Sequence, residues 1–205
     1  MTVASTRARR SDGERSRAAI LDAAARLATT EGLEGLSIGR LADHIGMSKS
    51  GLYAHFGSKE ELQLAAIDTA AAIFTAEVIE PARIAGGALA RLHALCDSFV
   101  SYVERKVFPG GCFFSVVTAE LDSHPGSVRD KLREMQRTWL GVLERRVQAA
   151  QEAGELDAAE DPAQLAFELN AMLVMGNSVF VLQGDPAALE RSRRGVRARL
   201  AAAAP

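Results

Sequence analysis

Between residues 125 and 153 the apolar side chains Val128, Leu132, Met135, Trp139 and Val142 succeed one another at steps of four, three, four and three, with Leu143 beside the last. A strand would throw every second residue to the opposite face, whereas an α-helix gathers this spacing onto one continuous seam. The same three-and-four spacing recurs through the chain, β-branched runs are scarce, and Ala, Leu, Arg and Glu dominate. The expected fold class is therefore all-α, with about nine helices and no strand. With 205 residues, 48% of them hydrophobic, such a chain can bury a core without covalent staples.

Local punctuation divides this pattern. A first helix is expected from Ser16 to about Thr30, with Ile20, Ala24, Leu27 and Ala28 inward. Ser37 is a good N-cap for a second, which Gly46 ends, and Ser48 caps a third that runs to about His55. Ser58 with Glu61 has the form of a capping box, so a fourth helix leaves from there. Pro81, Gly86-Gly87, Pro109-Gly110-Gly111, Pro125-Gly126, Gly154 and Gly184 break the remainder into five more stretches. Asp161-Pro162 and Asp185-Pro186 have the cap-then-proline form of helix starts.

Two cysteines, Cys96 and Cys112, are too few for a disulfide framework, so a reduced, intracellular and cytoplasmic protein is expected. No signal-like apolar leader and no run of about 18 uninterrupted apolar residues is present, so neither secretion nor a membrane partner is expected. His44, His55, His93 and His124 show no metal-ligand spacing, and neither a metal nor a cofactor is predicted. No triad, paired-carboxylate or phosphate-loop arrangement stands out, which argues against an enzyme.

The net charge of −2 conceals an asymmetry: residues 1–60 carry nine Lys/Arg against seven Asp/Glu, and residues 61–205 carry fifteen against nineteen. Arg7, Arg9, Arg10, Arg15 and Arg17 crowd the start, so residues 1–15 are read as a flexible basic arm. A basic end on a mildly acidic chain suits a polyanionic partner, though a solvated tail explains the charge equally well.

Residues 37–56 read SIGRLADHIGMSKSGLYAHF and impose a tighter geometry than an amphipathic helix. Two short helices cross over one turn: Ala42 is small at the approach, Gly46 supplies the turn, and Met47, Leu52 and Phe56 fill the angle. Lys49, Ser50, Gly51, Tyr53, Ala54 and His55 are left facing outward on a helix that a DNA major groove about 12 Å wide can admit. Gly51 costs a helix about 1 kcal/mol relative to Ala, a concession that makes sense where a ligand comes close.

Residues 37–62, with the core GMSKSGLYAHFGSKEEL, resemble the N-terminal DNA-binding domain of the tetracycline-repressor (TetR) family. Ala42, Gly46, the Leu52-Tyr53 and His55-Phe56 pairs and Lys59 carry the resemblance. It implies that Lys49 and Ser50 reach base edges, that Gly51 admits the backbone to the groove, that Ser37, Tyr53, His55 and Lys59 hold the DNA backbone, and that Ser48 belongs to the same DNA-binding set. On this reading residues 16–62 form the helix-turn-helix domain and 63–205 a ligand-binding and dimerisation domain.

Nine of the eleven aromatics lie beyond Glu60. Phe99, Tyr102, Phe113, Phe114, Val117, Trp139 and Met172 are candidates to line a cavity for a small apolar or aromatic effector, with Tyr102, Trp139 and Asn170 or Asn177 as polar anchors. For any one of them ordinary packing is the simpler account. AMLVMGNSVFVL, within 161–183, is apolar nearly all round, so a second face needs a cover. A homodimer interface is expected from Leu169, Leu173, Gly176 and Phe180 with Leu189, Val196 and Leu200 of the last helix. The arginines at 191, 193, 194, 197 and 199 are read as a solvated helix face. The expectation is a ligand-responsive dimeric repressor of a palindromic double-stranded operator, with a dimeric helical adaptor as the rival.

Overall fold

A computed structural model of the chain describes the backbone of residues 3–205 and the side chains from residue 15 onward. The described residues are helical without a strand, in the order α1 (Val3–Glu31), α2 (Ile38–Ile45), α3 (Lys49–Phe56), α4 (Lys59–Phe74), a π turn (Thr75–Ile79), α5 (Glu80–Ala82), α6 (Ala88–Glu104), α7 (Phe113–Leu121), α8 (Ser127–Glu152), α9 (Pro162–Gln183) and α10 (Ala187–Ala202). Because α4, the π turn and α5 run on as one rod, this amounts to nine helical rods among the described residues.

The caps are those the sequence advertises. Ser37, Ser48 and Ser58 each accept a backbone N–H three residues on, from Arg40, Gly51 and Glu61 respectively. Asp161 Oδ1 accepts the amides of Ala163 and Gln164. Gly46 closes α2 at φ 69°, a left-handed conformation that costs a glycine nothing.

Two expectations change. Helix α1 starts at Val3, well ahead of Ser16, so the backbone of the expected flexible arm is helical from that residue on. Apart from Gly13 this stretch holds ordinary helix formers and no proline, and nothing in it stops the helix. Arg7, Arg9 and Arg10 lie outside the described side chains. Pro81, expected as a break, instead sits inside the α4 rod. Just before it the Glu80 N–H bonds to Thr75 O across five residues, and this widened turn accommodates a proline ring that would otherwise meet the carbonyl four residues back.

The head packs α1, α2, α3 and the start of α4 around Ala24, Leu36, Leu41, Leu52, Phe56 and Leu62, all buried. The body packs α6, α8, α9 and α10 on one another, with the π turn against α6 and α7 set between α1, α8 and α9. Two rods, Lys59–Ala82 and Pro162–Gln183, are long and apolar enough by length and composition to cross a membrane, which the residue run alone did not suggest. In the first, Leu62, Ala66, Ile67, Ala70, Phe74 and Val78 are consumed by the protein's own core.

Candidate DNA-binding surface and ligand cavity

Leu52 and Phe56 are buried on the inner face of α3, and Ala42 is fully buried where α2 crosses it. That anchorage turns the opposite face to solvent: Lys49, Ser50 and Ala54 are exposed, Tyr53 is 56% exposed, and His55 is half-buried with its ring centroid 6.1 Å from that of Phe56. A bulky aromatic left in water on an eight-residue helix is the anomaly that marks a binding face.

Each expected contact residue has a definite place. Ser37 and Ser48 use their hydroxyl oxygens as caps, which leaves each O–H proton available to a phosphate. Ser48 Oγ also lies 3.3 Å from Ser50 Oγ. Gly51 is half-buried, and a Cβ there would stand 3.1 Å from Ser48 Oγ, so its missing side chain accommodates the cap as well as any approaching groove. Lys59 is exposed but engaged, its Nζ 2.9 Å from Glu34 Oε1, and this hydrogen bond holds the Glu34 carboxyl below its ordinary pKa. A phosphate reaching Lys59 has to compete with that pair. Arg17 places its guanidinium 5.0 Å over the Phe56 ring, bracing α1 on α3, a cross-helix contact with no local sequence signal.

The body holds a half-open cavity of about 440 Å³. Of the seven residues expected in its wall, Phe99, Phe114 and Trp139 are there. Tyr102, Phe113 and Val117 are not: they are turned into the core, where each is at most 1% exposed, and burial raises the Tyr102 phenol pKa beside Cys112. Met172 is also absent from the wall and faces Gly195 of α10. Further wall residues include Phe74, Thr75 and Ile79 at the π turn, Ser115, Thr118 and Ala119 of α7, Met135, Gln136, Thr138 and Val142 of α8, and Phe167, Ala171, Val174, Met175 and Ser178 of α9.

Asn170 reaches the wall and accepts the Trp139 Nε1 proton at 2.8 Å, while Asn177 instead accepts the Cys112 amide within the core. The ring cluster Phe74, Phe99, Phe114 and Trp139 is built of edge-on and stacked pairs, with Phe74 and Trp139 centroids 5.0 Å apart. Among the described lining residues there is a carboxylate, Asp122, and no cation. Cys112 borders the cavity, but burial raises its thiol pKa and so disfavours the thiolate.

The expected dimer residues lie mostly inside one subunit. Leu169, Leu173, Leu189, Val196 and Leu200 are at most 3% exposed, Gly176 is buried against Ser192, and Phe180 is half-buried. All belong to the core of one chain, where α9 packs on α8, α6 and α10 and Gly176 meets Ser192 across the seam between α9 and α10. A helix apolar all round does not declare which face its own neighbour takes. The uncovered face carries Phe167, Met175, Val181 and Leu182, which are 61%, 63%, 43% and 86% exposed.

A head that shows α3 to solvent, joined to a helical body with an apolar cavity, defines the class of helix-turn-helix transcription regulators with a ligand-binding domain. Residues 20–66 match the model for bacterial regulatory proteins of the tetR family, and residues 88–196, over half the chain, match the tetracyclin repressor-like C-terminal domain. The chain belongs to the TetR family, whose members are transcriptional regulators and not enzymes. Among solved structures it is similar to a TetR transcriptional regulator from Chloroflexus aurantiacus J-10-FL (26% identity, 93% of this chain and 96% of that one, TM-score 0.86). A TetR-family regulator from Cytophaga hutchinsonii shares the fold (21% identity, 93% and 95%, TM-score 0.83). AibR, solved with isovaleryl coenzyme A and operator DNA, is 25% identical over 88% of this chain and 96% of its own, at TM-score 0.71. No curated protein sequence matches significantly.

Proposed function

We propose that this regulator is a homodimeric repressor that binds a two-fold symmetric operator and is released by a small, uncharged apolar or aromatic effector. The observation that carries the DNA reading is α3: Leu52 and Phe56 lock it from beneath while Lys49, Ser50 and Tyr53 stand in solvent. Residues 16–62 act as the reading head and 63–205 as the sensing and pairing body. Lys49 and Ser50 meet base edges; Ser37, Ser48, Tyr53, His55 and Lys59 meet the DNA backbone, and Gly51 lets it come close. A DNA partner puts the site of action in the cytoplasm.

The subunits pair through the uncovered face of α9, where Phe167, Ala171, Met175, Ser178 and Leu182 repeat at steps of four, four, three and four, the spacing of a helix-packing stripe; the first four also line the cavity, so its mouth opens at this interface. Two heads so joined meet successive major grooves about 34 Å apart. Among the described lining residues, rings, two methionine thioethers, hydroxyls and amides surround the cavity with no cation to hold a phosphate or carboxylate and with one carboxylate, Asp122, that repels an anion, which favours an uncharged effector over an anionic thioester such as the one bound by AibR. Selection of bound fragments from random duplexes, followed by titration across salt, tests the reading. The protein should lose about 0.9 log unit of affinity per log unit of salt for each phosphate neutralised, and K49A should weaken binding. Flat salt dependence, or selection without a symmetric consensus, refutes it.

A further inference from the structure

Glu120 stands near the end of α7, a helix of the body, yet both of its carboxylate oxygens are bound to the head. Oε2 accepts the Leu33 amide at 2.7 Å and Oε1 the Glu34 amide at 2.9 Å. Those amides belong to the loop that leads from α1 to Ser37, the N-cap of α2. Gly32 adjoins them at φ +82°, and a Cβ there would stand 2.6 Å from Glu120 Oε1, so the loop closes around the carboxylate. Paired amide donors on an ionised carboxylate make a stronger link than neutral hydrogen bonds.

The other end of α7 is tied to the head as well. In the loop before it, the Gly110 amide donates to Thr29 Oγ1 at 3.1 Å, and Arg26 Nη1 donates to Val107 O at 2.8 Å. Between these two anchorages α7 gives Phe114, Ser115, Thr118 and Ala119 to the cavity wall. α7 is therefore both a helix that a cavity ligand touches and a helix that holds the loop ahead of the DNA-reading pair. The α4 rod reaches the same loop through Gln63, whose Nε2 donates to Leu33 O at 2.7 Å. That rod also joins head to body covalently.

We propose that Glu120 is a positioning residue for DNA binding: its two hydrogen bonds set the pose of α2 and α3 on the body, and α7 passes the state of the cavity to them. The proposal rests on the regulator reading above. Glu120 itself touches neither DNA nor effector. Occupancy of the cavity can act on DNA affinity only to the extent that the two poses of α7 differ in affinity for the occupant.

The test uses the full-length protein, the duplex selected above, and S115F as a built-in cavity filler in place of an effector. DNA affinity is measured for wild type, S115F, E120A and S115F/E120A, and amide hydrogen exchange is followed at Leu33 and Glu34. S115F should weaken DNA binding by about fivefold or more when Glu120 is present, and by less than about twofold in the E120A background. E120Q, which keeps one strong acceptor oxygen, should fall between, and it carries the comparison if E120A does not fold. The Leu33 and Glu34 amides should be protected in the wild type and lose protection in E120A.

Equal effects of S115F in both backgrounds, no effect of S115F on DNA affinity, or unprotected amides in the wild type would each overturn the proposal. If the wild type shows no salt-sensitive DNA binding, the regulator reading fails, the α7 relay falls with it, and amide protection alone decides whether Glu120 holds the loop.

Discussion

Replacing Gly176 by alanine distinguishes the seam within a subunit from the contact between subunits. Gly176 lies mid-way along α9, where a Cβ would stand 3.0 Å from Ser192 Cβ, 3.4 Å from Ala188 O, and far inside the contact distance of Ser192 Oγ. Overfilling a packed seam costs about 1–3 kcal/mol. To make room the Ser192 hydroxyl must also leave Met172 O, to which it donates at 2.8 Å, a further loss of about 0.5–1.5 kcal/mol. Alanine returns about 1 kcal/mol of helix propensity. The balance is a destabilisation centred near about 2 kcal/mol, or a Tm lower by about 4–8 °C in a protein of this size.

Thermal unfolding at several protein concentrations measures the effect, because a seam inside one subunit lowers Tm at every concentration while a subunit contact also shifts the association constant. In G176A/S192G the clash is removed, so the two substitutions should be markedly non-additive in the stabilising direction. A G176A protein as stable as the parent, or one that unfolds normally but dissociates, would refute the placement of Gly176 between α9 and α10.

Other outcomes follow from the same geometry. L182D and M175D should shift sedimentation from dimer toward monomer while leaving the helical signal intact, since both side chains are exposed on one subunit; unchanged dimers would reject the α9 face. E34Q should raise DNA affinity about two- to fivefold at low salt by freeing Lys59 from an exposed ion pair, and no change would show that Lys59 does not meet phosphate. The Glu168 carboxyl has a depressed pKa from Gln164 and then Arg199. Its contribution is present above the ordinary carboxylate pKa and fades as pH falls through the lowered one. R199A should thus lose less stability than the wild type as urea unfolding is repeated from pH 5 toward about 3, whereas parallel profiles would contradict the assignment.

The head was legible because its determinants are local. Ser37, Ser48 and Ser58 lie three residues from the amides they cap, Gly46 makes its own turn, and Leu52 and Phe56 repeat at the period of the helix they anchor. The body was legible as helices but not as faces. Leu169 and Leu173 could equally have met a partner, and the choice depends on where α10 lands. Tyr102 and Phe113 share the composition of a cavity wall, yet their side chains turn the other way into the core. Glu120 was invisible because its partners lie more than eighty residues away and are backbone amides, which carry no side-chain signature. Pro81 misled because a π turn absorbs what normally ends a helix.

The central claim is that two copies hold α3 outward at the pitch of duplex DNA. Ala54 is exposed on α3, whereas Cys96 and Cys112 are buried with raised thiol pKa values, so a spin label on A54C reports the recognition helices selectively. Pulsed electron paramagnetic resonance on the complex with the selected duplex should give one distance centred near about 34 Å, broadened by the reach of the label. The absence of any intersubunit distance, or one that does not correspond to successive major grooves, would contradict the account.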